Sequence, residues 1–329
     1  MRRRMFLKAA AVVFATAIGL TGCSNATSTV SGPTRTVTDA EGTEMEVPES
    51  PQRVITFSEP TLDAALALGV TPVGTVAGRG QQGVPNYLAD RAGDVPIVGS
   101  VGQPNLEAIG AAKPDLILVD GTSVNNNEPM VEALRAIAPT YYTGFAGGEW
   151  EFNLTHVANA LNKETEGQKV KDDYHAAATD VANKLATDYR DKTFSIVRWQ
   201  GNGASMILKE LPAGQVLTDL RMKRPPAQDK EGRGHSEPVA NENLAMIDAD
   251  FIFFGTLGGS SVNNPNAGGS TGVEEAEKAI ASAESVPGFT ELQAYKESHI
   301  IPVDGSLWTS AGGPILMRTI IDDITSNLL

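Results

Sequence analysis

The sequence predicts an α/β protein in which two Rossmann-like lobes are joined by a long linking helix. At 329 residues the chain is long for one ordinary domain. Strand patterns and helix patterns alternate in two separate runs, which favours parallel strands connected by crossover helices. A segment with almost no glycine or proline, residues 151–191, separates the two runs.

The chain is therefore expected to have five parts. They are a signal peptide over residues 1–22, a flexible tether over 23–34, an N-terminal lobe over 35–160, the linking helix over 161–191 and a C-terminal lobe over 192–329.

Residues 1–22 have the pattern of an export signal. The stretch "MRRRMFLK" is basic, "AAAVVFATAIGL" is apolar, and "LTGC" places small residues ahead of Cys23. The apolar run is too short for a membrane span, which needs about 20 residues. "LTGC" resembles a lipobox, which implies a lipid on the Cys23 thiol after cleavage. Cys23 is the only cysteine in the sequence, so no internal disulfide competes for its thiol.

Two export routes are compatible with this start. The positions that resemble the twin-arginine pattern are Arg3, Arg4, Phe6, Leu7 and Lys8. Arg2 stands where that pattern has Ser or Thr, so the general and the twin-arginine routes both remain open. The following "SNATSTVSGPT" is small, polar and without periodicity, which favours a disordered tether.

The charge balance argues against nucleic acid as a partner. The formal net charge is −14, although the first 22 residues contain basic residues and no acidic ones. Phosphate binding requires clustered Lys and Arg that release counterions.

A composition of 41% hydrophobic and 20% charged residues predicts a globular protein with a substantial core.

The N-terminal lobe begins with a hairpin, because β-prone residues flank the turn "DAEG". Short β-branched runs predict strands, and apolar residues at helical spacing predict helices. In order these are strand "RVITF", helix "TLDAALALG", strand "PVGTVA", helix "NLEAIGAAKP", strand "DLILVD", helix "EPMVEALRAIA" and strand "TYYT".

The linking segment cannot be a loop of its length in a compact protein. Its apolar residues at helical spacing include Leu154, Val157, Ala158 and Leu161. It predicts one or two helices, the second of them long. The C-terminal lobe then has strand "TFSIVRW", helix "GQVLTDL", short helix "ENLAMID", strand "DFIFFG", helix "GVEEAEKAIASA", helix "FTELQAY", strand "IIPVD" and helix "PILMRTIIDDITSNLL".

One pattern occurs in both lobes. "LEAIGAAKPDLILV" and "ENLAMIDADFIFF" each place a glutamate near the start of a short helix and an aspartate, Asp115 or Asp250, before a buried strand. Locally this is ordinary chemistry, because helix starts favour Glu and turns before strands favour Asp.

Together with the lipobox and the linking helix, these segments resemble solute-binding lipoproteins of ABC importers for iron siderophores, a group that also contains vitamin B12 and haem binders. The resemblance covers "PQRVITF", "LALGVTPVG", "NLEAIGAAKPDLIL", the "RP" at 224–225, "ENLAMIDADFIFF" and "LWTSAGGPILMRTIIDDI". It implies a class III periplasmic-binding-protein-like fold, in which two rigid lobes face each other across a shallow cleft.

The resemblance also implies the partners. A monomeric, non-enzymatic receptor, anchored outside the cell membrane by lipid on Cys23, is expected to bind a ferric siderophore and deliver it to a permease dimer with ATPase subunits. The iron arrives chelated, so no cofactor and no protein ligand to the metal are expected. Glu107 and Glu242 match the positions at which a glutamate of each lobe docks with permease arginines. The alternative is that both are solvated acids at helix starts.

The ligand is expected at the carboxyl ends of the strands, where open α/β sheets bind ligands. The residues there are Arg79, Arg198, Arg224, Trp199 and Trp308, with Tyr87 as a further phenol donor. Guanidinium groups donate charge-assisted hydrogen bonds to the oxygens of a chelate, and indoles enclose its apolar parts. Arg79 and Arg198 match positions that commonly contact ligand in the family. Packing for the tryptophans and an ion pair for Arg224 remain alternatives.

Other functions have weaker support. Haem or cobalamin is the second ligand class, with His235 or Tyr87 as the axial ligand to haem. His156, His175, His235 and His299 are scattered, so no bare metal site is expected. A lipid-anchored hydrolase would use "GGSTG" at 268–272, but no strand directly precedes it and no Ser, His and Asp set accompanies it. The 255–272 loop is expected at the surface, or as a cap on the cleft.

Overall fold

The computed structural model describes residues 32–124, 127–232, 236–257 and 271–329. The predicted signal peptide, Cys23, most of the tether, His235 and residues 258–270 lie outside them. Within these ranges no helix is long and apolar enough to cross a membrane.

The first lobe contains a hairpin and a six-stranded sheet. Its strands are β1 (Thr34–Thr38), β2 (Glu44–Pro48), β3 (Val54–Thr56), β4 (Gly74–Ala77), β5 (Ile97–Ser100), β6 (Gln103–Pro104), β7 (Leu116–Val119) and β8 (Thr140–Tyr142). Its helices are α1 (Glu59–Ala67), α2 (Ala89–Ala92), α3 (Leu106–Ala111), α4 (Gly121–Val124), α5 (Glu128–Arg135) and α6 (Trp150–Leu161). The sheet order is β6-β5-β4-β3-β7-β8, and every pair is parallel except β5 with β6.

The second lobe contains a five-stranded sheet of order β11-β10-β9-β12-β13. Its strands are β9 (Phe194–Gln200), β10 (Gly203–Ile207), β11 (Ser236–Val239), β12 (Phe251–Thr256) and β13 (Ile300–Val303). The remaining helices are α7 (Glu164–Leu185), α8 (Pro212–Asp219), α9 (Val273–Ala283), α10 (Gln293–Lys296), α11 (Gly305–Trp308) and α12 (Pro314–Leu328). Single 3₁₀ segments cover Asn86–Leu88, Asn241–Ile247 and Phe289–Glu291.

The helix between the lobes is α7, which has 22 residues and is about 33 Å long. It lies inside the segment predicted to link the lobes. The preceding α6 is capped at its C-terminal end by Asn162, whose left-handed φ of 57° turns the chain before α7 begins. The buried face of α7 includes Tyr174, Ala178 and Ala182, which belong to a hydrophobic cluster shared with both sheets. The linking helix is therefore packed into the body of the protein.

Asp115 and Asp250, the aspartates of the repeated pattern, have the same structural role in the two lobes. Asp115, just before β7, accepts the backbone N–H groups of Gln52 at 2.8 Å and Arg53 at 2.9 Å, just before β3. Asp250, just before β12, accepts the backbone N–H of Thr193 at 2.8 Å, just before β9. Since β3 pairs with β7 and β9 with β12, each aspartate secures the start of a parallel pair.

The second sheet is mixed, whereas the sequence predicted parallel pairing from alternating strands and helices. β9 and β10 form an antiparallel hairpin, in which Gln200 pairs with Gly203 across Gly201 and Asn202. Gly201 has a φ of +59°, which glycine adopts without strain. The signal was present in "QGNGA", a two-residue turn between a strand and a short apolar run. β11 then extends the same edge.

Candidate functional site

The carboxyl ends of the two sheets meet where the lobes contact each other. Asn86 follows β4, and its Nδ2 donates to Thr271 Oγ1 and to Asp304 Oδ2, both at 3.1 Å. Asp304 directly follows β13 of the other lobe. A second contact joins Gln215 Nε2 of α8 to the carbonyl oxygen of Gly148, at 3.3 Å. The loops after the strands of both lobes therefore border one region, as expected for a ligand cleft.

Arg79 is held at this edge by Glu59. The Glu59 carboxylate accepts the Arg79 backbone N–H at 2.5 Å and Nη1 at 2.6 Å. Glu59 is buried in the first turn of α1, while the Arg79 side chain is 22% exposed. The other terminal nitrogen, Nη2, is buried and has no hydrogen-bond partner among the described residues. Glu59 thus orients a guanidinium that retains donor capacity.

Arg198 is the corresponding cation of the second lobe. It lies near the end of β9, and its Nη2 donates to the carbonyl oxygen of Thr309, in the segment between α11 and α12. Burial lowers the pKa of Arg198 to about 10, because desolvation disfavours the charged form. Its Nε has no partner in the described part of the chain. An anionic group beside it would offset the cost of burying this charge.

Arg224 lies in the interior of the second lobe. Its Nη2 donates to the carbonyl oxygen of Ile207, at the end of β10, and to Gln228 Oε1 at 2.9 Å. Gln228 Nε2 in turn donates to Ser195 Oγ of β9 at 2.6 Å. Burial lowers the pKa of Arg224 to about 10. Arg224 therefore holds the Gln228 side chain, which in turn bonds to β9 through Ser195 and the backbone N–H of Ile196, and the contact of Arg224 with ligand stays a prediction.

Trp199 lies in the core, which corrects the expectation that it borders the cleft mouth. It is 1% exposed and stacks on Phe254, with ring centroids 5.6 Å apart. Its indole N–H donates to the carbonyl oxygen of Gly201 at 2.9 Å. Successive side chains of a strand point to opposite faces, so Trp199 and Arg198 cannot share the same face.

Trp308 is also a core residue, which corrects the expectation that it borders the cleft. It is 0% exposed, and its ring stacks on Phe253 of β12 with centroids 4.1 Å apart. Its indole N–H donates to Asp323 Oδ2 of α12 at 2.9 Å. Trp308 follows a strand end in the sequence, but the short helix α11 turns its side chain inward between β12 and α12.

Tyr87 is half-buried, and its hydroxyl lies against the N-terminal end of α12. A Cβ added at Gly312 would be 2.6 Å from this oxygen. Burial, and next the charge of Asp63, raise the pKa of Tyr87 well above its ordinary value. A tyrosine ligand to haem iron is needed as phenolate, which this environment disfavours. Within the described ranges no three His, Cys, Asp or Glu side chains are grouped to hold a metal ion.

Glu107 and Glu242 lie at the surface of different lobes. Both are exposed, Glu107 in the first turn of α3 and Glu242 in the first turn of the Asn241–Ile247 segment. Neither carboxylate forms an ion pair with another described residue. A groove of about 710 Å³ lies beside Glu242 and is also lined by Asp248 and Glu291. Both glutamates are thus accessible to a partner.

Phe145 is a residue that the sequence reasoning missed. It is 58% exposed and follows the end of β8 by three residues. The available signal was "YYTGFAGG", in which an aromatic residue stands among glycines directly after a strand.

The chain is similar to known proteins over most of its length. The family model described as periplasmic binding protein matches residues 54–307. A relative from Bacillus subtilis (strain 168), named "Probable siderophore-binding lipoprotein YfiY", is 32% identical over 99% of this chain and 97% of its own length. The Fe(3+)-citrate-binding protein YfmC of the same organism is 26% identical over 88% of this chain and 84% of its own length.

Solved structures have the same fold. Staphylococcus aureus SirA complexed with staphyloferrin B superposes with a TM-score of 0.72, at 26% identity, over 89% of this chain and 98% of its own. The iron-uptake system-binding protein FeuA from Bacillus subtilis superposes with a TM-score of 0.69, at 20% identity, over 90% of this chain and 100% of its own. The two-lobed α/β architecture is therefore shared over about nine-tenths of the chain.

Proposed function

Because the chain belongs to the periplasmic binding protein family, we propose that it is the receptor of an ABC importer and binds a ferric siderophore between its two lobes. The curated relatives support the ligand class, since their names include a siderophore-binding lipoprotein and an Fe(3+)-citrate-binding protein. SirA, which shares the fold at 26% identity, was solved with staphyloferrin B. The protein holds the chelate reversibly and carries out no chemical step on it.

The observation that supports this function best is the pair of arginines at the facing strand ends. Arg79 of the first lobe and Arg198 of the second each have a buried guanidinium nitrogen without a partner among the described residues. Buried donors without acceptors are costly, and oxygen-rich anionic ligands supply acceptors. A ferric chelate bound between the lobes would take one charge-assisted contact from each.

The iron requires no ligand from the protein in this account. A siderophore already surrounds Fe(III) with oxygen donors, so the receptor recognises the outer surface of the complex. The protein then acts as a monomer and presents Glu107 and Glu242 to a permease dimer that bears arginines. The exposure of both carboxylates, one on each lobe, supports a contact with both permease subunits.

The lipid anchor is proposed on Cys23. The "LTGC" sequence supports it, as does the description of the relative YfiY as a lipoprotein. The tether from residue 23 to 34 would leave the receptor outside the membrane and close to its permease. Both export routes remain compatible with the basic N-terminus.

The test is a calorimetric titration of the form that starts at Ser24. The titrants are ferric citrate, a ferric trihydroxamate, a ferric tris-catecholate, haemin and cobalamin. One ferric chelate should bind saturably with a stoichiometry of about 1, as a site between two lobes of one monomer requires. Arg318→Ala, which removes an exposed arginine paired with Asp322 on α12, is the control and should bind like the wild type. Binding of haemin alone, or of no ferric chelate, would refute the proposed function.

A further inference from the structure

Phe145 is an aromatic side chain that the fold leaves open to solvent. Its exposure of 58% is unusual for phenylalanine, which is usually buried. It lies in the loop 143–149, which leads from the carboxyl end of β8 into α6. This is the edge at which parallel sheets bind ligands. The position of the ring therefore calls for an explanation beyond the core.

The loop holds Phe145 in a fixed position. Its carbonyl oxygen accepts Asn153 Nδ2 at 2.8 Å, and Asn153 is only 6% exposed. On the other side the Gly144 carbonyl oxygen accepts the Gly121 backbone N–H at 2.8 Å. Gly144 has a φ of +124°, and a Cβ there would lie 2.0 Å from Asn153 Oδ1. The backbone on both sides of Phe145 is thus anchored, and only its side chain is left outside.

The ring lies between the ends of two strands. A Cβ added at Gly121, which begins α4 after β7, would be 2.5 Å from the Phe145 ring. The same loop reaches the second lobe through the bond from Gln215 Nε2 to the Gly148 carbonyl oxygen. Phe145 therefore lies over the carboxyl ends of β7 and β8, at the boundary between the lobes.

The two tryptophans cannot supply an apolar contact for a ligand in the cleft. Trp199 and Trp308 are enclosed in the core and offer no exposed face. We propose that Phe145 forms an apolar wall of the ligand site and covers the hydrocarbon part of the bound chelate. This inference rests on the proposed function. In it the arginines contact the oxygens of the chelate, and Phe145 contacts its carbon atoms.

The chemistry of a chelate favours this division. Its donor oxygens converge on the iron, so the linkers and ring carbons form much of its outer surface. Covering them with a phenyl ring removes apolar area from water on both partners. Because the backbone on both sides of Phe145 is already anchored, binding has only the side-chain torsions of Phe145 to order.

The chain contains a matched control seven residues away. Phe152 is 49% exposed on α6, and its ring packs on His156 with centroids 4.6 Å apart. Phe152 lies in the first turn of α6, just after the loop that carries Phe145. Phe152→Ala removes a similarly exposed ring that lies beside Gly144 of the same loop, so it tests whether an effect belongs to the Phe145 ring itself.

The experiment compares the affinities of the wild type, Phe145→Ala, Phe145→Leu and Phe152→Ala for the ferric chelate of the panel that the wild type binds best. Phe145→Ala should weaken binding about tenfold. Phe145→Leu should lose less, since it keeps apolar area, and Phe152→Ala should match the wild type. Thermal unfolding of each variant checks that the fold is retained, and Phe145→Leu serves if Phe145→Ala unfolds.

The outcomes separate the two proposals. If the wild type binds a ferric chelate and both Phe145 variants bind it within about twofold, the Phe145 inference is wrong and the proposed function stands. An equal loss in Phe152→Ala would also contradict the inference, because the effect would then not be specific to the Phe145 ring. If the wild type binds no ferric chelate, the proposed function fails and the inference fails with it.

Discussion

The carboxylate of Asp63 accepts the backbone N–H of Leu316 at 3.0 Å and that of Ile315 at 2.8 Å. Asp63 lies in α1, and the two N–H groups lie in the first turn of α12. The residue before this turn, Gly313, has no side chain to cap the helix. Asp63 therefore replaces the missing N-cap and ties α1 of the first lobe to the C-terminal helix.

Asp63→Ala should destabilise the protein. It leaves two buried backbone N–H groups without an acceptor and removes a favourable charge from a helix N-terminus. The free energy of unfolding should fall by about 2 kcal/mol, measured by denaturant titration. Asp90→Ala, at an exposed position of α2, should change it by less than about 0.5 kcal/mol. Equal stabilities for the two variants would show that Asp63 is not a working cap.

The same residue should make stability depend on pH. Burial raises the pKa of Asp63 from 3.8 to about 6, because desolvation outweighs the backbone donors. As pH rises from about 4 to about 6, the unfolded chain releases this proton while the folded protein retains it. The contribution of Asp63 to stability therefore falls with rising pH across this window and is level above it.

Asp63→Asn isolates this contribution, because the amide does not titrate. The stability of the wild type relative to Asp63→Asn should fall by about 2 kcal/mol between pH 4 and pH 7. Denaturant titrations of both proteins at several pH values measure it. A difference independent of pH would mean that the carboxyl titrates normally in the folded state.

Trp308 should matter for stability and not for ligand. Trp308→Phe keeps an aromatic ring against Phe253 but loses the bond from the indole N–H to Asp323. The free energy of unfolding should fall by about 1–2 kcal/mol, while the affinity of the folded protein for its chelate is unchanged. Calorimetry on the refolded variant measures its affinity for the chelate. A large loss of affinity at unchanged stability would restore Trp308 to the ligand site.

Glu107→Ala and Glu242→Ala should separate binding from delivery. Both side chains are exposed on opposite lobes, so neither substitution should alter the affinity for the chelate. Uptake of the chelate by cells that carry the permease should fall in each variant and fall further in the double variant, because a charged contact is lost at each subunit. Glu277→Ala, at an exposed site on α9, is the control. Normal uptake by the double variant would contradict docking through these residues.

The sequence predicted the architecture because its signals are local. Parallel strands, crossover helices and the long α7 follow from periodicity, and Asp115 and Asp250 recur because both lobes pair their central strands in the same way. The hairpin of β9 and β10 was missed because the turn "GN" was not treated as a strand connection.

The site was less predictable, since a position after a strand does not fix which way a side chain points. Trp199 follows Arg198 directly, and the pleat sends them to opposite faces. Trp308 is turned inward by α11, whose four residues gave no helical signal. Phe145 is the reverse case, because contacts with Gly121, Gly144 and Asn153 hold its backbone at the surface. These outcomes depend on tertiary packing, which sequence spacing does not encode.

The central claim is that an arginine from each lobe contacts a ferric chelate in the cleft. The most direct measurement is the dissociation constant of that chelate for the wild type, Arg79→Ala, Arg198→Ala and the double variant. Each single substitution should weaken binding about tenfold to a hundredfold, since each removes a hydrogen bond to a charged group, and the double variant should bind weakest. If both single variants bind within about twofold of the wild type, the chelate is not held between these two arginines and the account is wrong.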